Sequence, residues 1–295
     1  MKRPTFLTEH RSSRYFNLYY TPRESLSGGG GVHGVRDIAL IDHYFDALER
    51  AFCFLMERPL SFEPLNKKVP VYVFEIRAQF PDDGSPHTFQ DQDGNPYIAL
   101  PSRTDTPTRD EEYRHAIAAA CHEAFHAVVW HLYSRRKLEN RAWIWFDEGC
   151  AVWAETQVRP DILDYLRFGM NWCDIPELPI DDIRNMYESV FFVWYLANRA
   201  GPQIVGEIWR SGESTPWKAI QELQPEPVDL LLHDYFRDAF FLAEKSSRCH
   251  SPQMLERYCG RAVRKVLNLT GRSIAALLTG RLASGVGQNR PMRVK

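Results

Sequence analysis

The pattern of apolar and polar positions changes its period along the N-terminal part of the chain. In residues 35–57 apolar side chains recur every three or four positions, which predicts an amphipathic helix with one buried face. Short apolar segments bounded by turn residues predict strands at residues 15–20, 69–76 and 97–101. Pro70 stands near the start of the second segment, where a strand tolerates it, and we expect this strand to be central in the sheet.

From residue 113 onward the pattern becomes predominantly helical. Residues 113–133 contain neither Gly nor Pro and predict one long helix. Helical spacing returns at residues 161–173 and again from Met186 to about Gly201, where Phe191, Trp194 and Tyr195 share a face. Further helical patterns, separated by Gly, Pro and Ser, continue to about residue 282.

This order of elements predicts an α+β fold. We expect residues 1–110 to form an N-terminal α/β subdomain with a twisted sheet, and residues 111–295 to form a mostly helical subdomain continuous with it. The length of 295 residues suits one large domain or two modest ones, and the 44% hydrophobic and 25% charged content is ordinary for a globular protein.

Charge and hydropathy argue against two classes of partner. A formal net charge of −2 gives no reason to expect nucleic acid, and no apolar run approaches the length of a membrane span. Residues 257–295 contain nine Lys or Arg and no acidic residue. Solvated helix faces and a frayed end explain this basic tail better than a nucleic-acid site does.

Cysteine usage and the N-terminus predict a cytoplasmic protein. The six cysteines are scattered and lie mostly in helical patterns, which is typical of reduced thiols in a core. Basic residues near the N-terminus are not followed by the apolar region of a secretory signal.

Two glycine-containing motifs are weak indications of a ligand. Four glycines at residues 28–31 lack the pattern of a phosphate-binding loop and are better interpreted as a flexible loop. The stretch Asp91-x-Asp93-Gly94-Asn95 resembles part of a calcium loop but lacks the remaining ligand spacing, so we interpret it as a turn.

The strongest chemical motif is H-E-x-x-H, formed by His122, Glu123 and His126 within the predicted helix 113–133. Residues i and i+4 share a helix face, so both imidazoles can bind one cation while Glu123 stands beside it as a general base. The alternative is a pair of core histidines. In an alanine-rich helix such polar groups need partners, however, and a metal supplies them. A tetrahedral Zn²⁺ needs a third protein ligand, for which Glu148 is the candidate.

Together these motifs resemble the gluzincin metallopeptidases. The H-E-x-x-H motif is followed, after 21 residues, by Glu148 and then Glu155 in the stretch W-F-D-E-G-C-A-V-W-A-E. This stretch is similar to the N-E-G-x-A-x-x-x-E signature of the aminopeptidase and leukotriene hydrolase branch, with Asp147 in place of Asn. The layout also resembles a group of bacterial proteins assigned as metalloproteases, and the resemblance covers roughly residues 14–210.

The resemblance implies a zincin-like fold with a zinc cleft between the two halves. It implies that Zn²⁺ is held by His122, His126 and Glu148, and that Glu148 opens a second helix. It also implies that the strand at 97–101 forms the lower edge of the sheet and binds the substrate backbone by β-addition.

Two further residues are candidates for supporting roles. Glu155 lies two helical turns after Glu148 and can orient a zinc-bound imidazole through its second N–H; the alternative is a solvated helix glutamate. Tyr187 lies in M-Y-E-S, which resembles the Y-E-K-G segment whose tyrosine stabilises the oxyanion, although Ser189-Val190 replaces Lys-Gly. The alternative for Tyr187 is a place in a buried aromatic stripe.

We therefore predict a zinc-dependent peptidase in which Glu123 deprotonates a metal-activated water, with a peptide or protein as substrate. The G-x-M-E-N segment that anchors a free amine in the aminopeptidase branch is absent from residues 1–121, which favours an endopeptidase. The alternatives are a non-catalytic zinc-containing scaffold that binds peptides, against which Glu123 argues, and a zinc hydrolase acting on another bond.

Overall fold

The structure is a computed structural model of the chain, in which the side chains of residues 109–112 are not described. It describes residues 4–22, 33–57, 59–80, 83–103, 109–133, 140–162 and 179–235. Several predictions from the pattern lie outside these ranges, namely the glycine run, most of the helix at 161–173 and the basic tail.

Five strands form one mixed sheet in the order β1-β2-β3-β5-β4. Parallel pairing joins β2 to β3 and β3 to β5, while β1 and β4 pair antiparallel at the two sides. The strands are β1 (Glu9–Ser12), β2 (Phe16–Tyr20), β3 (Val69–Phe74), β4 (His87–Gln90) and β5 (Pro96–Pro101). The three strands predicted from the sequence are confirmed, and β3 is central as predicted.

The central strand β3 is buried on both faces, which explains its nearly continuous apolar sequence. Val71 and Val73 face the main core, whereas Tyr72 and Phe74 belong to a smaller cluster on the opposite face. Neighbours in the register are Val71 with Ile98 and Leu18 with Val71.

The helices are α1 (Ile38–Met56), α2 (Arg109–Leu132), α3 (Arg141–Val158), α4 (Val190–Ala200), α5 (Gln203–Arg210) and α6 (Pro216–Leu223), and residues 228–235 are also helical. Side-chain caps mark the starts of three helices. The side chain of Asp37 accepts from the backbone N–H of Ala39 in α1, that of Asn140 from Ala142 in α3, and that of Thr215 from Lys218 in α6. Short 3-10 turns occupy Ile76–Ala78 and Ile183–Asn185.

One apolar core runs through the sheet and the helices, from Tyr15 to Tyr235. Helix α2 packs against both α1 and β5, and α3 packs between α2 and α4. The predicted mixed α/β architecture is confirmed. None of the helices in the described ranges is long and apolar enough to cross a membrane.

Three predictions about element boundaries are wrong. Strand β5 is not the edge of the sheet, because β4 pairs with its outer side. We did not predict β4, since three of its four residues, His-Thr-Phe-Gln, are polar and the segment lies between two turn clusters. Glu148 does not open a helix, because the Asn140 cap starts α3 at Arg141.

The third correction concerns residues 186–189, which form a turn, so that α4 starts at Val190 rather than near Met186. Asp182 caps the preceding 3-10 turn, and the Ser189 hydroxyl donates to the carbonyl oxygen of Met186 or Trp145. Such local bonds from side chain to backbone compete with helix formation.

Candidate metal centre

Six side chains of the site come from two helices that pack against each other. Helix α2 contributes His122, Glu123 and His126, and α3 contributes Asp147, Glu148 and Glu155. A spacing of four residues places His122 and His126 on one side of α2, and a spacing of seven places Glu148 and Glu155 on one side of α3. Because α2 and α3 lie side by side, these polar positions meet in an otherwise apolar interface.

Three of these residues direct potential ligand atoms at one another. Their ligand atoms all lie within 4.8 Å of each other. His122 Nε2 is 3.1 Å from Glu148 Oε2 and 3.0 Å from His126 Nε2, and His126 Nε2 is 3.5 Å from the same carboxylate oxygen. The structure thus brings together the three residues predicted as ligands, within reach of a single ion.

Carboxylates hold the other nitrogen of each ring. Glu155 Oε1 is 2.7 Å from His122 Nδ1, and Asp147 Oδ1 is 3.0 Å from His126 Nδ1. These contacts fix the rings with their Nε2 atoms facing Glu148, the arrangement that metal-binding histidines usually have. Glu155 therefore lies at the imidazole, with its side chain only 11% exposed, rather than in solvent.

Asp147 is a functional candidate that the sequence reasoning did not assign. Besides His126 it accepts from Trp130 Nε1 at 3.3 Å, so its two oxygens join α2 at two points. Its position immediately before Glu148, where the related signature has Asn, was the available signal.

The electrostatics of the cluster favour positive charge. Burial alone would lower the pKa of His122, but hydrogen bonds to Glu148 and Glu155 raise that pKa to about 10. Burial likewise opposes protonation of His126, yet Asp147 and Glu148 raise its pKa well above the ordinary value. Although burial disfavours the Glu148 carboxylate, the neighbouring imidazoles lower its pKa far below the usual range. The carboxylates that hold these protons would also attract a divalent cation, which has to displace the protons when it binds.

Glu123 is held from the sheet rather than from the helices. Its Oε2 accepts a hydrogen bond from Thr88 Oγ1 in β4 at 2.8 Å. Both residues are buried, with 6% and 8% of their surfaces exposed. We did not anticipate Thr88, because only the tertiary pairing of β4 with β5 brings it to α2.

Tyr187 lies beside the first histidine. Its ring centroid is 6.2 Å from that of His122. It lies in the turn 186–189, before α4 begins, and it is partly buried against the main core. The turn approaches α3 at Gly149, where a Cβ would lie 2.1 Å from Ser189 Oγ. Gly149 therefore allows this turn to pack directly against the helix that carries Glu148.

Other candidates from the sequence do not join the cluster. Cys121 and Cys150 are buried free thiols whose pKa is raised by burial, consistent with packing residues. Asp91 Oδ1 accepts the backbone N–H groups of Asp93 and Asn95 in the turn between β4 and β5, with Gly94 at φ +79°. Across the described ranges, His122, His126 and Glu148 form the one group of three such residues close enough to share an ion.

This arrangement combines two imidazoles and a carboxylate, a buried glutamate that follows the first histidine in α2, and a tyrosine whose ring lies beside that histidine. These are the parts that metal-assisted hydrolysis uses. Compared with models of known protein families, with curated proteins and with solved structures, the chain matches none of them.

Proposed function

We propose that the chain is a zinc-dependent peptidase. The observation that carries the proposal is a cluster of two histidines and one glutamate whose ligand atoms lie within 4.8 Å of one another, together with the buried Glu123, which follows His122 directly in helix α2. Two imidazoles and one carboxylate form a common protein ligand set of catalytic zinc, and they leave a coordination position open.

The surroundings of the cluster support zinc in particular. Both imidazoles have their outer nitrogen bonded to a carboxylate, which raises their basicity as ligands. Nitrogen donors distinguish the site from the all-oxygen sites that suit Mg²⁺ and Ca²⁺. When bound, Zn²⁺ supplies Lewis acidity, which polarises a carbonyl group and lowers the pKa of a water molecule.

The side chains then divide the remaining work. His122, His126 and Glu148 hold the ion, while Glu155 and Asp147 keep the two rings in orientation. Glu123 takes the proton from the attacking water and passes it to the leaving amine. The hydroxyl of Tyr187, whose ring lies beside His122, donates to the oxyanion of the tetrahedral intermediate.

The substrate in this proposal is an extended polypeptide. Strand β4 is the last strand of the described sheet on the side of the site, and it contacts Glu123 through Thr88. A peptide that adds to its outer edge passes next to the base. Binding along a strand needs no free terminus, which favours an endopeptidase over an aminopeptidase.

The test compares wild-type protein with Glu123→Gln on a peptide library, with cleavage products identified by mass spectrometry. We expect turnover by the zinc-loaded wild type, loss of turnover in Glu123→Gln with zinc retained, and loss in chelated protein. Peptide binding without cleavage by either protein would identify a zinc-containing scaffold instead. Glu123-dependent hydrolysis of non-peptide bonds alone would identify another class of hydrolase.

A further inference from the structure

A buried hydrogen bond joins the terminal strand of the sheet to the H-E-x-x-H helix. Thr88 Oγ1 lies 2.8 Å from Glu123 Oε2 and 3.0 Å from the backbone oxygen of the same residue. Both side chains are more than nine-tenths buried. The hydroxyl therefore has two acceptors within reach, and both belong to Glu123.

The single hydroxyl proton can serve only one of these acceptors at a time. An ionised carboxylate is the stronger acceptor, so the proton points at Oε2 while Glu123 is charged. This leaves Oε1 as the oxygen that takes the proton from water. The proton that Glu123 takes from water later goes to the leaving amine. The hydroxyl proton of Thr88 is not transferred and stays on Thr88 Oγ1.

The strand itself fixes the position of this hydroxyl. Successive side chains of a strand point to opposite faces, so Thr88 faces α2 while Phe89 faces the other side. There the Phe89 ring stacks on Tyr97 at 5.5 Å and on Phe80 at 5.1 Å between centroids. Thr88 is also paired with Ile98 of β5. The packing of Phe89 on one face of β4 thus fixes the position of the Thr88 hydroxyl on the opposite face.

We infer that Thr88 is a positioning residue for the general base: its hydroxyl holds the Glu123 carboxylate in the orientation from which it takes the proton. This inference rests on the proposed peptidase function. It adds a contribution from the sheet to a site whose other groups come from helices and from the turn 186–189.

The test replaces Thr88 by Val, which keeps the branched shape and removes the hydroxyl, and by Ser, which restores the hydroxyl. We expect Thr88→Val to lower kcat by about tenfold to a hundredfold, the effect of a slightly misplaced catalytic group, with KM and zinc content unchanged. Thr88→Ser should recover most of the loss. Thr21→Val is the matched control, because Thr21 is also a buried threonine, its hydroxyl donates to the backbone oxygen of Phe6, and it follows β2, on the other side of β3 from β4. It should leave kcat at the wild-type value.

Several results would overturn the inference. They are a wild-type kcat in Thr88→Val, a change in KM alone, or a Thr88→Ser variant no better than Thr88→Val. If Thr88→Val does not fold, Thr88→Ala removes the same hydroxyl and is compared with Thr88→Ser in its place. Failure of the two proposals can be told apart. An inactive wild type overturns the peptidase and the positioning role together, whereas an active wild type with an unaffected Thr88→Val overturns only the positioning role.

Discussion

Glu148 Oε2 lies 3.1 Å from one histidine nitrogen and 3.5 Å from the other, which makes this carboxylate the residue that closes the cluster. We expect Glu148→Ala to lose much of its zinc during purification without chelator, because only the two imidazoles remain as protein ligands. Glu123→Gln, which alters a neighbouring carboxylate outside the ligand set, should keep its zinc. Metal analysis of the purified variants measures both. Full zinc occupancy in Glu148→Ala would mean that the third ligand lies elsewhere.

The protonation of His122 predicts how zinc binding depends on pH. In metal-free protein the pKa of His122 is about 10, so the ring is cationic at pH 7. A metal ion binds the neutral ring and must displace that proton. We therefore expect proton release at pH 7 and an affinity that rises with pH up to about 10. Calorimetry in buffers of different ionisation enthalpy counts the protons, and binding without release would contradict the prediction.

The substitution Tyr187→Phe removes the hydroxyl of this residue and keeps its ring, so it tests the hydroxyl alone. Loss of an oxyanion donor usually lowers kcat by about two to three powers of ten, and we expect that loss with zinc content and melting temperature unchanged. Tyr195→Phe is the control, because Tyr195 is a buried tyrosine of α4 whose hydroxyl accepts from Arg199. Wild-type turnover in Tyr187→Phe would return this residue to a packing role.

At the scale of elements, Gly149 determines how closely the turn 186–189 approaches α3. A methyl group there would lie 2.1 Å from Ser189 Oγ and 3.2 Å from the Ser189 carbonyl carbon. Overpacking of this kind outweighs the better helix propensity of alanine, so Gly149→Ala should destabilise the protein by roughly 1–2 kcal/mol. The exposed Gly212, with no atom within 4 Å of its added Cβ, gives the control Gly212→Ala. Urea unfolding measures the stability of the two variants. Equal stability would contradict the predicted steric clash between a residue 149 methyl group and Ser189.

The helices and the sheet differ in how far the sequence predicts them. Periodicity locates α1, the absence of Gly and Pro locates α2, and the position of His122 and His126 on one face of α2 follows from their spacing. Strand β4 has no such signal, because it is short and its polar Thr88 is buried only through contacts with α2. The meeting of Asp147 with His126 likewise depends on the packing of two helices, which local sequence does not specify.

At the scale of the whole molecule, the proposed zinc ion joins α2 to α3 inside a core shared by both halves of the chain. An ion that binds the folded state and not the unfolded chain stabilises the fold by linkage. We expect chelation to lower the melting temperature by several degrees in wild type and equally in Glu123→Gln. A calorimetric scan of protein verified as metal-free tests this, and an unchanged midpoint would contradict it.

The position of β4 at the side of the sheet has a consequence for the state of the substrate. The outer backbone groups of a terminal strand can pair only with a segment whose own amides and carbonyls are not already bonded. Helices and paired strands do not meet this condition. In the proposed function, the backbone conformation of a substrate segment thus determines whether it can bind next to Glu123, before any of its side chains is recognised. We therefore expect unfolded stretches of a protein to be cleaved and the same residues within a native domain to be spared.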